Sequence, residues 1–527
     1  MSRPAAPSGP AARRSGYEVV VGLEVHLALR TRTKLFCPCA ASGDEAGATA
    51  GAATAGDATA GDGSAGDGSG ETQPNRHVCP VCLGLPGALP VPNARAVELA
   101  VRFAAALDCA VPEVTAFARK HYGYPDAPKN YQISQHDRPV GLGGALDLPN
   151  GRRVRLVRCH LEEDAGRLIH PTYADHSLVD LDRAGAPLIE LVTAPDLRSG
   201  EDARAFLEEV RALARALDVS DATPEEGRMR ADVNVSLRRP GEPLGTKVEV
   251  KNLNSFKSVQ AAIESEATRQ ERLLQAGRGV SQETRGWNEG GQKSYVMRTK
   301  EEAADYRYLD DPDLPPIRLT AAWLAAVRAA TPETPAALRR RYAAAGLRPA
   351  DADRLATDVE LSRAFDALVD AARRAAGATA PAPAAQALAN WLLVEVVGWA
   401  HAANTGVTAL RLTDPGPAGR LAALVALVEA REITGPTAKA LLGEVLAGAD
   451  PRALVAARGL RQVSDAGELA GWVDGVLAAH PEVAAGAREQ PKAVNFLMGR
   501  VMQASRGQAR PDAVRALLLE RLGIGDA

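Results

Sequence analysis

Glu24 and His26 stand with one residue between them in the run Tyr17-Glu18-Val19-Val20-Val21-Gly22-Leu23-Glu24-Val25-His26-Leu27-Ala28-Leu29. Its β-branched residues and apolar alternation read as a strand. Side chains alternate across a strand, so Val19, Val21, Leu23, Val25, Leu27 and Leu29 share one face. Glu24 and His26 project from the other face, beside the small residues Gly22 and Ala28. A carboxylate and an imidazole fixed side by side on a rigid element can ligate a divalent cation or move protons. Taken alone, the segment reads more simply as a half-buried strand whose polar face meets solvent. The segments that follow reverse that reading.

A second acidic site is Arg158-Cys159-His160-Leu161-Glu162-Glu163-Asp164-Ala165-Gly166. Three consecutive acids entering a Gly turn repel one another, so they call for a cation or an Arg cluster unless the turn is merely solvated. In a third strand Arg230, Asp232, Asn234 and Ser236 share a face, and in a fourth Lys247, Glu249 and Lys251 do. Strands of one domain that repeat the same cation-and-carboxylate face predict the lining of a cavity. Directly after Lys251, Asn252-Leu253-Asn254-Ser255 opens a helix. A helix N-terminus beside a lysine suits phosphate. There is no G-x-x-x-x-G-K-[ST] loop, so a nucleotide would be held in another manner. The segment 120–132 mixes bases, aromatics and prolines, and reads as a base-stacking loop or an ordinary rigid surface loop.

Cys37-Pro38-Cys39 and Cys79-Pro80-Val81-Cys82 bracket a stretch, 43–71, that is almost wholly Ala, Gly, Asp, Ser and Thr. Two close thiol pairs at either end of a loop suit tetrahedral zinc, with redox pairs or plain thiols as the alternative. Four thiolates leave no open position, so such a metal would be structural. His77 is a spare candidate ligand, while Cys109 and Cys159 read as ordinary buried cysteines. The stretch between the pairs cannot bury enough apolar surface to order itself.

The elements that must position these groups fall into blocks. At 527 residues the chain exceeds one hydrophobic core. Residues 1–16 read as a disordered lead-in without the apolar core of a secretory signal. Residues 17–298 are strand-rich, with strands expected over 152–159, 177–181, 188–192, 230–237 and 246–251. One helix opens at Ser199 with Asp202 three residues on, and buries Phe206, Val210, Leu213 and Leu217. Another starts near Ser255, carries Phe256, Val259 and Ile263, and stops at Gly277. An α+β fold with a mixed sheet follows. From about 320 the periodic segments are helical and Ala/Leu-rich, with 376–385 a linker or long loop. The domains are drawn at 17–298, 299–409 and 410–527.

The formal net charge of −3 gives no general pull on nucleic acid, so RNA would need local basic patches. No stretch reaches the ~18 apolar residues of a membrane span. Six cysteines in so long a chain are no disulfide framework and fit the reducing cytoplasm.

Six motifs in order resemble the B subunit of the bacterial tRNA-dependent amidotransferase. They are Gly22-Leu23-Glu24-Val25-His26, Tyr124-Pro125-Asp126 with Tyr131-Gln132-Ile133-Ser134-Gln135, His160-Leu161-Glu162-Glu163-Asp164-Ala165-Gly166, Pro187-Leu188-Ile189-Glu190, Lys251-Asn252-Leu253-Asn254-Ser255 and Asp305-Tyr306-Arg307-Tyr308. The resemblance implies a heterotrimer with an amidase A subunit and a small C subunit. It implies conversion of misacylated Glu-tRNA(Gln), and often Asp-tRNA(Asn), to the amide, with ATP and Mg²⁺ used here to phosphorylate the side-chain carboxylate. By motif match Glu24, His26 and Glu163 would hold Mg²⁺, and Glu162, Glu190 and Asp232 would complete an acidic shell. Arg230, Lys247, Lys251, Asn252, Asn254 and Ser255 are the phosphate candidates. The last block would be a tail similar to the YqeY proteins that grips tRNA. Its surface would be Lys492, Asn495, Arg500, Gln503, Ser505, Arg506, Gln508 and Arg510, above a buried stripe of Phe496, Leu497, Val501 and Met502. The 43–71 insertion and Leu309, where an aromatic is common, depart from the family pattern. Zinc is not implied by membership and rests on the cysteine spacing alone. The competing expectations are a non-catalytic tRNA-binding scaffold and a self-sufficient glutamine amidotransferase. The latter lacks a visible glutaminase nucleophile.

Overall fold

The computed structural model describes residues 13–14, 16–41, 73–171, 174–299, 306–376, 383–462, 466–487, 491–505 and 508–524. Most of the lead-in, the 43–71 stretch, Asp305, most of the 376–385 linker, Arg506 and the side chain of Lys492 lie outside the described residues. Two compact units divide the chain, Met1–Thr334 and Pro335–Ala527.

The first unit is organised by β1 (Tyr17–Ala28), α1 (Ala94–Ala106), β2 (Ala118–His121), β3 (Tyr131–Ser134), β4 (Arg153–Glu163), β5 (Pro187–Thr193), α2 (Gly200–Ala216), β6 (Met229–Arg238), β7 (Val248–Lys251), α3 (Phe256–Gln275), β8 (Glu283–Asn288) and β9 (Lys293–Thr299). Its large sheet runs β9–β8–β7–β6–β1–β5–β4. The β7–β8 pair is parallel and the other neighbours in that path are antiparallel, so the sheet is mixed. The alternation read in β1 sets which face of the sheet is buried: Val19, Val21, Leu23, Val25 and Leu27 lie in one core with Phe206, Val210 and Leu213 of α2 and Val259 and Ile263 of α3. The opposite, polar face of the strands is left for chemistry.

Both helices start as their capping residues dictate. Ser199 Oγ accepts from the Asp202 amide, and Ser255 Oγ accepts from the Ser258 amide. Where α2 begins it meets α3 closely: a Cβ on Gly200 would lie 2.7 Å from the Gln260 carbonyl oxygen. Backbone cannot yield there, so Gly200→Ala is expected to cost about 1–3 kcal/mol of stability. A lowered urea midpoint with an unchanged m-value checks it.

Residues after 306 stay with this unit. Ile317–Arg318 pairs with Val114–Thr115, and Leu314, Leu319 and Val327 complete the same core. The second unit is helical among its described residues. One core gathers residues between Leu338 and Val455, and another gathers residues between Leu469 and Leu522. In its last part Leu497 and Val501 are fully buried as read, but Phe496 is 43 % exposed and Ser505 is buried. Phe496 lies one position off the buried stripe, which on a helix is a turn of about 100°. Its ring instead meets His480 edge-on and lies under Arg500. Asn495, Arg500 and Gln503 are exposed, while Gln508 and Arg510 are half-buried, bonded to the Gly459 carbonyl and to Asp512.

Candidate active site

Residues paired across neighbouring strands share a face, and the register sets four functional side chains in one row. His160 of β4 pairs with Glu190 of β5, Glu190 with His26 of β1, and His26 with Arg230 of β6. One step along, Glu24 pairs with Asp232; a further step brings Gly22, Asn234 and Glu249 into line. Glu162 enters from β4 two residues beyond His160. His26 Nδ1 lies 3.2 Å from Glu162 Oε1, and His160 Nε2 lies 3.5 Å from Glu190 Oε2 and 3.8 Å from Glu162 Oε2. His26, Glu162 and Glu190 each offer one ligand atom, all within 4.8 Å of one another.

Burial alone would raise the Glu162 pKa, but the imidazoles of His160 and His26 facing it, with the Lys120 charge nearby, hold it well below the usual carboxylate range. Burial alone would lower His26, but its hydrogen bond to Glu162 and the charges of Glu162, Glu190 and Asp232 carry it up to about 9. Burial and the neighbouring carboxylates Glu190, Glu249 and Asp232 push Glu24 upward, against the pull of Lys251. This is an acidic pocket short of positive charge. His160 Nδ1 is buried with no hydrogen-bond partner among the described residues.

Glu163 is not part of this group. Its carboxylate is 2.5 Å from Lys129 Nζ and accepts the Ile133 amide at 2.8 Å. Of the expected set Glu24, His26 and Glu163, the structure does not bring Glu163 to His26: Glu162 is the member of the pair that reaches it. The cause is strand parity, since β4 continues through Glu163 and turns adjacent side chains to opposite faces. Asp164, the third acid, is neutralised by Arg230 at 2.9 Å and Arg183 at 3.2 Å.

Asp232 and Glu249 are both paired with Lys251. Burial would lower the Lys251 pKa, but those two carboxylates raise it. Of the phosphate candidates, Lys247 lines an open cavity of about 280 Å³ with Gly22, Glu24, Asn234 and Ser236. Arg230 and Lys251 are engaged by carboxylates, Ser255 caps α3, and Asn252 and Asn254 are exposed outside that cavity's lining. Residue-by-residue reading missed Lys120, whose ammonium lies 5.0 Å from the centre of the Tyr306 ring. Burial opposes its charge, but Glu162 and Glu190 raise its pKa. With Tyr122, Tyr124, Gln132, Arg298 and Arg307 it lines a second cavity of about 420 Å³. Apart from Arg298, the lining of that cavity lies in segments already singled out, 120–132 and 305–308.

The thiols of Cys37, Cys39, Cys79 and Cys82 converge within 4.8 Å of one another. Proton sharing inside the cluster polarises them. The Cys37 thiol is pushed up by donating to Cys82, which is lowered to about 4 by that bond, and burial raises Cys39 to about 11. His77 contributes only backbone: its carbonyl accepts from Lys34 at 2.8 Å and its amide donates to Asp182 at 2.6 Å. Cys109 and Cys159 are buried elsewhere in the core, and burial raises Cys109 to about 12.

Residues 19–325, which carry both clusters, match the family described as GatB/GatE catalytic domain, and residues 375–522 match the one described as GatB domain. The chain belongs to the GatB family. It is 52 % identical over 510 residues to the B subunit of the aspartyl/glutamyl-tRNA(Asn/Gln) amidotransferase of Thermus thermophilus, covering 97 % of this chain and 100 % of that one. The protein of the same name from Deinococcus radiodurans is 50 % identical over 512 residues, covering 96 % of this chain and all of its own length. The one from Carboxydothermus hydrogenoformans is 41 % identical over 518 residues, covering 96 % and 99 %. Among GatB proteins, then, this chain carries its acidic row within the catalytic domain and its Arg500 surface within the second. No helix among its described residues is long and apolar enough to cross a membrane.

Proposed function

We propose that this chain is the carboxylate-activating subunit of an ATP-dependent aminoacyl-tRNA amidotransferase acting in the cytoplasm. It works with an amidase A subunit and a small C subunit, on Glu-tRNA(Gln), Asp-tRNA(Asn) or both. The observation that carries this is the convergence of His26, Glu162 and Glu190 on one sheet face of a GatB catalytic domain. An oxygen of the side-chain carboxylate attacks the γ-phosphorus of ATP, ADP departs, and an acyl phosphate remains. Ammonia from the amidase then attacks the carbonyl carbon, phosphate leaves, and the nitrogen loses a proton to a carboxylate of the acidic row. The first step brings two anions together. Two carboxylates and an imidazole with water around them fit Mg²⁺, and the ion bound there would screen that repulsion. Lys247 and the cavity beside Glu24 are the place for phosphate groups, and the Lys120–Tyr306 cavity is the place for a stacked base. Asn495, Arg500 and Gln503 would meet tRNA.

The test is the purified complex with each misacylated tRNA. Amide formation together with tRNA-dependent ATP hydrolysis is expected, with no glutaminase activity in the isolated chain. Binding of tRNA without any ATP turnover would leave the scaffold reading instead.

The four converging thiols fit a structural zinc, which would close the 43–71 stretch at its base. A mercurial titration in the presence of a zinc-binding dye is then expected to release one zinc ion as the four clustered thiols react. Cys109 and Cys159, inert through burial, are expected to react only after denaturation.

A further inference from the structure

Lys34 is fully buried, with 0 % of its surface exposed, and ranks among the largest wholly buried side chains of the first unit. Its ammonium donates to the His77 carbonyl at 2.8 Å and the Leu181 carbonyl at 3.3 Å, and stands 3.7 Å from Cys82 Sγ. No carboxylate among the described residues forms an ion pair with it. A buried ammonium is tolerated only beside an anion or a full set of acceptors, and two neutral carbonyls do not match a whole charge. The remaining neighbour is sulfur. A neutral thiol would be a poor third acceptor, whereas a thiolate supplies the missing charge.

We infer that Lys34 is the counter-cation of the cysteine cluster and sets its affinity for zinc. The inference rests on the zinc reading above. Four thiolates around Zn²⁺ carry a net charge of −2, and burying that charge is costly unless a cation offsets part of it. Lys34 is placed to do so, and also joins the three segments that surround the site. It lies between Thr33 and Leu35 at the start of the first thiol pair. It reaches the second pair through the His77 carbonyl and Cys82, and the 163–187 hairpin through the Leu181 carbonyl. The neighbouring amide, Leu35 N, donates to the Gly185 carbonyl at 2.8 Å. A Cβ on Gly185 would come 3.6 Å from both Lys34 Cδ and Cys82 Cβ, so the hairpin is seated directly against the lysine stem.

The test uses the full-length chain, zinc-loaded, with chelator competition and cobalt(II) substitution as readouts. Lys34→Met keeps the stem and deletes the charge. Zinc affinity is expected to fall about 10–100-fold, the range for groups that support metal ligands. The thiolate-to-cobalt absorption bands should persist at saturating metal. Should Lys34→Met fail to fold, Lys34→Gln retains hydrogen bonding to the carbonyls without the charge, and is expected to show the same loss. Wild-type affinity in whichever variant folds would overturn the counter-cation role while leaving the zinc reading intact. Absence of zinc and cobalt binding in the wild-type chain would overturn both.

Discussion

Glu162→Gln is expected to lower tRNA-dependent ATP turnover, and amide formation with it, by about 10²–10³-fold, the usual consequence of removing one fixed electrostatic partner from a reacting centre. The side chain is 2 % exposed and its amide analogue has the same shape, so the sheet should remain intact. What changes is charge. Two imidazoles converge on Glu162, at 3.2 and 3.8 Å, and its carboxylate is held ionised by them. Without that charge His26 loses its anionic partner, and the group formed with Glu190 keeps an oxygen there but loses one negative charge for a cation. In the proposed assembly with an amidase, glutaminase activity should survive, which separates this loss from failed assembly. Glu163→Gln is the matched control. It weakens the Lys129 pair outside the acidic row and is expected to slow ATP turnover less. The reverse ranking would restore the Glu24, His26 and Glu163 set and remove the geometric assignment.

That pair of substitutions marks where the sequence stops being informative. The alternation in β1 is long enough to fix which face Glu24 and His26 share, and the sheet face follows. In Glu162-Glu163-Asp164 parity alone requires adjacent acids to diverge, but it does not say which one turns toward β1. Pairing with β5 decides, by setting Glu190 opposite His160 and Leu188 opposite Glu162. The cysteine pairs were legible because a four-thiol cluster needs only their spacing and one loop closure. Lys34 was not, since its partners are 43 and 147 residues away in sequence and only folding shows that it is buried. Lys120 escaped for the same reason: its neighbours Glu162, Glu190 and Tyr306 come from three other segments. Local rules did better. Ser199 and Ser255 cap α2 and α3 as hydrogen-bonding chemistry demands. Phe496 shows their limit, because an error of one helical position moves an aromatic ring from core to surface.

Gly22→Leu tests the cavity beside the acidic row. Gly22 lies opposite Asn234 in β6 and shares a face with Glu24. A Cβ there would sit no closer than 3.9 Å to Pro195 Cα, Thr193 O and Thr193 Oγ1, so the backbone accepts a side chain without moving. A strand interior also gains order when glycine is replaced, by about 0.5–1 kcal/mol, and thermal stability should hold or rise. The leucine branch, however, has to extend into the space of about 280 Å³ that Glu24, Asn234 and Lys247 also line. Crowding a preformed site costs about 1–3 kcal/mol, which corresponds to about 5–150-fold in affinity. The expected result is a KM raised by that factor for whichever substrate occupies the cavity, with Gly22→Ala showing a smaller rise in the same constant. A rise in the KM for ATP alone would place the phosphates beside Lys247, and a rise for misacylated tRNA alone would place the aminoacyl end there. Unchanged constants for both would mean that the cavity binds neither. The Lys120–Tyr306 cavity would then have to hold every reactant that reaches His26, Glu162 and Glu190.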